Sequence, residues 1–107
     1  CLLVKKTLEK YYKKKIEFKK PNDLLINKKK ISGILQEIIS FSGNKFIIVG
    51  IGVNLIKSPE IKNYPTTNLS ELINKPINKI NFENELKVIF VKNLSRMYKI
   101  NNKVKKN

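Results

Sequence analysis

The N-terminal segment has apolar residues at helical spacing. Val4, Leu8 and Tyr11 recur every three or four positions, which predicts a first helix over residues 2–14. The lysines at positions 13 to 15 suit the C-terminal end of this helix, because the helix dipole is negative there. The chain therefore opens with a predicted amphipathic helix.

The next part of the chain alternates apolar and polar residues as β-strands do. The extended segments are residues 16–19, 24–26, 30–39 and 45–53. Asn27-Lys28-Lys29 and Phe41-Ser42-Gly43-Asn44 separate the last three segments, and both carry residues that favour tight turns, so two hairpins are predicted. The β-branched run of the last segment predicts a strand buried on both faces.

Beyond Asn54 the alternation stops and a proline-containing loop begins. A short helix is predicted near residues 68–73, and an amphipathic helix over residues 82–98 with Asn81 as its N-cap. We expect residues 101–107, which are polar and basic, to form a disordered tail. This order of elements predicts an α+β fold, in which helices pack on one face of a largely antiparallel or mixed sheet.

Length and composition fit one small domain of a cytoplasmic protein. The 107 residues are 41% hydrophobic, and no apolar run is long enough to span a membrane. The single cysteine, Cys1, cannot form an internal disulfide, and a chain without histidine has no residues for a zinc site. Because the chain begins at Cys1 rather than Met, we expect it to be part of a longer protein.

The formal net charge of +15 raises the question of nucleic-acid binding. All but one of the 23 basic residues are lysines, whereas base recognition relies mainly on arginine. The lysines are also scattered along the chain, together with many Ile and Asn residues, as a genome-wide compositional bias would produce. These features disfavour nucleic acid as the partner, although a basic, non-catalytic RNA-binding module remains an alternative.

Three short motifs place polar residues or glycines where a β-rich core would otherwise be apolar. They are Lys19-Lys20-Pro21-Asn22-Asp23, Lys30-Ile31-Ser32-Gly33-Ile34-Leu35-Gln36-Glu37 and Val49-Gly50-Ile51-Gly52-Val53-Asn54. Each has an ordinary structural interpretation: a turn, a solvated lysine beside a bulge, and glycines that let a helix pack closely. In the third motif, alternation puts Gly50, Gly52 and Asn54 on one face, which could equally form a ligand groove.

Together, in this order and at these intervals, the three motifs resemble the catalytic segment of biotin protein ligases. That family carries a Lys-Trp-Pro-Asn-Asp string, a Lys-x-x-Gly-Ile-Leu-x-Glu strand and a strand that ends in Gly-x-Asn. The resemblance implies that residues 1–100 are part of such a catalytic domain. The expected activity is ATP-dependent formation of biotinyl-adenylate, followed by transfer of biotin to a lysine of a biotin carboxyl carrier protein, a subunit of acetyl-CoA carboxylase.

The resemblance also implies roles for individual residues. Lys30 would be the catalytic residue, in contact with the biotin carboxylate and the adenylate phosphate. The residues implied for biotin are Lys30, Gly33, Leu35, Gly50 and Val53, and those implied for ATP are Asn22, Asp23 and Asn54. Asp23 would also face Mg²⁺, since a carboxylate oxygen suits that ion.

Lys20 departs from the family pattern, because it stands where the family usually has Trp. The family's glycine- and arginine-rich loop lies upstream of the segment seen here, so we expect this chain to hold about half of a site and to be inactive alone. A lipoate-type ligase of the same fold is a further alternative. A homodimer of the full-length protein is compatible with the resemblance.

Overall fold

The computed structural model describes the backbone of residues 2–105 and the side chains of residues 2–93. Its elements are α1 (Leu2–Leu8), β1 (Glu17–Lys19), β2 (Asp23–Ile26), β3 (Lys29–Phe41), β4 (Asn44–Val53), α2 (Leu69–Ile73) and α3 (Lys79–Lys105). The four strands form one antiparallel sheet in the order β1-β2-β3-β4. The predicted α+β class is confirmed.

Both predicted hairpin turns are present, each with two residues in its loop. Asn27 and Lys28 join β2 to β3 with φ angles of 52° and 63°, and Ser42 and Gly43 join β3 to β4 with φ angles of 50° and 79°. Positive φ at both central residues matches the right-handed twist of the strands that such a loop connects. The two turns therefore fix the register of the sheet.

A β-bulge interrupts the pairing of β2 with β3. Leu24 pairs with Ser32 and Leu25 pairs with Lys30, so the register skips Ile31. In a regular strand, residues three apart point to opposite faces. The extra residue brings the side chain of Lys30 to the same face as Gly33, where its ammonium lies 3.1 Å from the position that a Cβ of Gly33 would take.

The hydrophobic core lies between the helices and one face of the sheet. Its buried members come from the helices, from β2 and β3, and from the segments that connect the elements: Val4, Leu8, Tyr12, Ile16, Leu24, Ile26, Ile31, Ile34, Leu55, Leu69, Ile77 and Phe82. The ring of Tyr11 packs on that of Phe82, with 5.4 Å between centroids, and so joins the first helical segment to α3.

Three helix boundaries were predicted wrongly. The first helix ends at Leu8 rather than at residue 14, because the chain tightens there: the amide of Tyr11 donates to the carbonyl of Leu8 at 2.9 Å. This turn lets Tyr12 and Ile16 enter the core. The last helix begins at Lys79, and its first turn is capped by Asn78, whose Oδ1 accepts from the amide of Asn81 at 3.1 Å. Asn81 is therefore not the N-cap. The helix extends to Lys105, into the segment where a tail was expected.

The burial predicted for the last strand is also wrong. Residues 44–50 of β4 are exposed, and only Ile51 and Val53 pack against the core. The reason is topological: β4 is the last strand of the sheet, and the far end of the β3–β4 hairpin extends beyond the core. Among the residues that the structure describes, no helix is long and apolar enough to cross a membrane.

Candidate functional site

A groove of about 420 Å³ runs across the sheet beside the bulge. Strands β2, β3 and β4 and the loop after β4 line it. The lining residues are Asp23, Lys30, Ser32, Gly33, Ile34, Leu35, Gly50, Ile51, Gly52, Asn54, Pro59 and Ile61. All three sequence motifs thus contribute to a single cavity.

Glycines form the floor of this groove. Gly33 lies opposite Gly52, and Leu35 lies opposite Gly50 in the β3–β4 register. A Cβ on Gly50 would come no closer than 4.0 Å to Leu35, and one on Gly52 would come no closer than 3.8 Å to the Gly33 carbonyl. Within the described part of the chain no helix packs on these two glycines, so their missing side chains leave open space. This finding favours the groove over the close-packing interpretation.

Gly33 has a different role, because the Lys30 side chain fills the space above it. A Cβ at position 33 would lie 3.0 Å from Cε and 3.1 Å from Nζ of Lys30, and 3.4 Å from Oδ1 of Asp23. The two distances to Lys30 are shorter than ordinary van der Waals contacts. A methyl group at this position would therefore require the end of the lysine side chain to shift.

Lys30 and Asp23 form an ion pair at the wall of the groove. Nζ of Lys30 lies 3.6 Å from Oδ1 of Asp23, and the two side chains are only 25% and 19% exposed. Solvent screens such a pair less than it screens pairs at the open surface. Asp23 is the sole aspartate of the chain, and it lies on β2 directly opposite Gly33.

Asn54 joins the end of β4 to the Lys30 backbone. Its side-chain amide donates to the carbonyl of Thr67 at 3.1 Å and to that of Lys30 at 3.4 Å, while its main-chain amide donates to Ile31 at 2.8 Å. Asn54 thus lines the groove, and its amide hydrogens hold protein groups in place. Contact with ATP, which the resemblance implies for Asn54, stays a prediction.

Tyr64 is a site residue that the sequence did not indicate. Its hydroxyl donates to Oδ2 of Asp23 at 2.6 Å. That hydrogen bond to the carboxylate, followed by burial, raises the pKa of Tyr64 to about 12. The residue lies in a polar loop outside the three motifs, and its aromatic ring there was the one signal that could have drawn attention to it.

The remaining predicted site residues lie in different places. Leu35 lines the groove but is 72% exposed. Asn22 lies outside the groove lining, and its carbonyl accepts from the amide of Ile34 at 3.0 Å. Val53 packs against the hydrophobic core on the other side of the strand. The structure therefore brings together Asp23, Lys30, Gly33, Leu35, Gly50 and Asn54, but not Asn22 or Val53.

The described residues around Asp23 do not fit Mg²⁺. One carboxylate oxygen faces the Lys30 ammonium and the other accepts from Tyr64. Within residues 2–93, no three His, Cys, Asp or Glu side chains come together as a metal site would require.

The first half of the chain matches a known family model. The model of the biotin/lipoate A/B protein ligase family matches residues 1–54, a segment that contains all three motifs. The match ends at Asn54, so it excludes Tyr64 and the loop around it.

Solved structures with the same fold extend the likeness to most of the chain. Biotin protein ligase from Aquifex aeolicus in complex with biotin and ATP is 31% identical, with a TM-score of 0.70 over 89% of this chain and 40% of that one. The apo structure of that ligase is 29% identical, with a TM-score of 0.70 over 89% and 42% of the two chains. P. falciparum LipL1 in complex with lipoate is 25% identical, with a TM-score of 0.62 over 85% and 29%. The chain thus spans less than half the length of each.

Proposed function

Because the chain belongs to the biotin/lipoate A/B protein ligase family, we propose that the protein carrying it joins biotin to a protein lysine through biotinyl-adenylate. The observation that carries this proposal is the Lys30 ammonium, held by Asp23 over a groove with a glycine floor. The similar Aquifex aeolicus ligase is in complex with biotin and ATP, which supports these two substrates. The acceptor would be a biotin carboxyl carrier protein, and the compartment the cytoplasm.

In the proposed reaction, a biotin carboxylate oxygen attacks the α-phosphorus of ATP. The bond from that phosphorus to the bridging oxygen breaks, and pyrophosphate leaves with the electron pair. Two anionic groups must approach each other in this step, so a fixed cation between them lowers the barrier. Lys30 supplies that charge. ATP would arrive as its Mg²⁺ complex, with the metal on its phosphates.

The second step needs no nucleophile from this chain. The amine of the acceptor lysine attacks the acyl carbon of the adenylate, AMP leaves with the electron pair of the broken C–O bond, and the amine loses a proton to solvent. The chain's contribution is to keep the acyl phosphate in place. Gly50 and Gly52 allow a flat ligand to lie against the backbone.

The test is biotin-dependent exchange of pyrophosphate into ATP, measured on the full-length protein that carries this chain. Lys30→Ala should lower exchange by about a hundredfold or more, because it removes a charge that acts in the transition state. Lys29→Ala is the matched control, since that neighbouring side chain is exposed and lies outside the groove lining. Unchanged exchange in Lys30→Ala would remove Lys30 from the site.

A lipoate-type ligase is the second candidate, favoured by the likeness to LipL1 in complex with lipoate. The same assay separates the two candidates when lipoate replaces biotin. Exchange that depends on lipoate alone would assign the protein to the second candidate. Exchange with neither acid would overturn both.

A further inference from the structure

The loop after β4 brings one aromatic side chain back to the groove. The hydroxyl of Tyr64 donates a hydrogen bond of 2.6 Å to Asp23. In addition, two lysine ammonium groups lie near the face of the Tyr64 ring. Nζ of Lys19 lies 4.5 Å from the ring centroid and Nζ of Lys30 lies 5.3 Å from it. Both distances are within the range of cation–π attraction. Tyr64 thus contacts the Asp23–Lys30 pair through its hydroxyl and its ring.

These contacts restrict the movement of Lys30 on three sides. Asp23 attracts its ammonium from β2, the bare Cα of Gly33 lies beneath it, and the Tyr64 ring lies beside it. A free lysine side chain carries about 2 kcal/mol of rotamer entropy, which an ordered ammonium must give up. The carboxylate that orders it must itself stay in one orientation.

The backbone around Tyr64 is fixed to Lys30 as well. The Lys30 amide donates to the carbonyl of Pro65 at 2.8 Å, and the Thr67 amide donates to the carbonyl of Lys30 at 2.9 Å. Within the loop, the Tyr64 amide donates to the carbonyl of Ile61 at 3.1 Å. The tyrosine is therefore held at a constant distance from the lysine by main-chain bonds.

We propose that Tyr64 is a positioning residue: its hydroxyl orients the Asp23 carboxylate, and that carboxylate fixes the Lys30 ammonium over Gly33. The task given to Lys30 rests on the proposed function, whereas its fixed position does not. Tyr64 also lies beyond residues 1–54, which the family model matches, so the motifs alone do not contain this group.

The first test measures how fast each lysine of the full-length protein that carries this chain reacts with a small amine-reactive reagent, read by peptide mass spectrometry. Tyr64→Phe removes one hydroxyl, so the carboxylate loses its orientation and Lys30 spends more time in solvent. Its labelling rate should rise several-fold, while that of Lys29 stays unchanged. An unchanged Lys30 rate in this variant overturns the proposal.

Tyr11→Phe is a matched control. Tyr11 also donates its hydroxyl to a carboxylate, that of Glu85, at 2.8 Å, and burial with this bond raises the pKa of Tyr11 to about 12. The pair lies outside the groove lining, so its loss should leave Lys30 labelling at the wild-type rate. An equal rise in both variants would show a general loosening of the fold and would overturn the proposal.

A measurement on the unaltered chain covers the case in which Tyr64→Phe does not fold. In NMR spectra, the ε-methylene protons of Lys30 should show cross-relaxation with the Tyr64 ring and an upfield ring-current shift. The absence of both signals overturns the proposal without any variant.

Exchange assays on the full-length protein then separate this inference from the proposed function. Tyr64→Phe should reduce kcat/KM for biotin about tenfold, because a small displacement of a catalytic group is costly. If labelling rises but the unaltered protein activates neither biotin nor lipoate, the positioning role stands and the proposed function fails. If biotin is activated but labelling does not change, only the positioning role fails.

Discussion

Gly33 sets the closest approach between the β3 backbone and the Lys30 side chain. The bulge at Ile31 turns Lys30 to the face of Gly33, and the ammonium then needs the volume that any other residue would fill with its Cβ. At the scale of residues, the position of the Lys30 side chain therefore depends on the missing side chain of Gly33. Asp23 and Tyr64 complete it from neighbouring segments.

Gly33→Ala should displace Lys30 without unfolding the protein. The added methyl meets the far end of a flexible side chain, so the free energy of unfolding should change by no more than about 1 kcal/mol. The labelling rate of Lys30 should rise several-fold as its ammonium leaves Asp23. Thermal melts and amine labelling measure the two effects.

Gly52→Ala provides the comparison for this prediction. Its methyl would lie 3.8 Å from the Gly33 carbonyl, which is an ordinary contact, and it should leave Lys30 labelling unchanged. Slow labelling of Lys30 in Gly33→Ala would mean that the lysine accommodates the methyl while it stays paired with Asp23.

At the scale of elements, the turns were predictable and the position of the bulge was not. Asn27 and Gly43 tolerate positive φ, so the sequence indicated both hairpins. Lys30 and Gly33, in contrast, are three residues apart, and regular alternation assigns them to opposite faces. Gly33 made a bulge in this strand one interpretation of the second motif, but the sequence does not place it at Ile31, which suits a bulge no better than its neighbours.

The start of α3 was predicted wrongly because two nearby asparagines are both suited to the N-cap position. Asn78 and Asn81 are both good capping residues three positions apart, and each is followed by an apolar residue within two positions. The structure selects Asn78, so that helix α3 gains one more turn before Phe82 enters the core. Tyr64 was missed for a different reason: only the folded loop brings it near Asp23.

The choice of cap gives a direct prediction. Asn78→Ala should lower the free energy of unfolding by about 1 kcal/mol, because the amide of Asn81 loses its acceptor. Asn81→Ala should have almost no effect, since its exposed side chain lies within the first turn. Urea unfolding followed by circular dichroism measures both values. A larger loss of unfolding free energy in Asn81→Ala than in Asn78→Ala would instead identify Asn81 as the N-cap, as the sequence suggested.

At the scale of the whole molecule, the β3–β4 hairpin is unusually apolar for an exposed structure. Ile38, Phe41 and Ile47 are each about 70% exposed, and β4 has no further strand beside it in the described sheet. An exposed, apolar edge strand favours association between chains. The chain that carries this exposed hairpin spans less than half the length of the matched ligases.

Ile47→Lys should raise the concentration at which the isolated chain begins to aggregate, without lowering its melting temperature. The side chain is 70% exposed, so the fold loses little, while the new charge opposes contacts along β4. Static light scattering over a concentration series measures the onset. Ile56→Lys is the control, because Ile56 is 55% exposed, lies outside the hairpin and gains the same charge. Equal improvement in both variants would attribute the effect to net charge.

The main-chain hydrogen bonds between Lys30 and the loop limit which sequence changes this protein can accept in evolution. The bonds to Pro65 and Thr67 use backbone groups, so most substitutions in the loop leave them intact. If one residue were inserted between Asn54 and Tyr64, the loop would have to bulge outward before it reaches Lys30. Otherwise the Tyr64 side chain would point away from Asp23. Related chains should therefore vary in the composition of this loop far more than in its length.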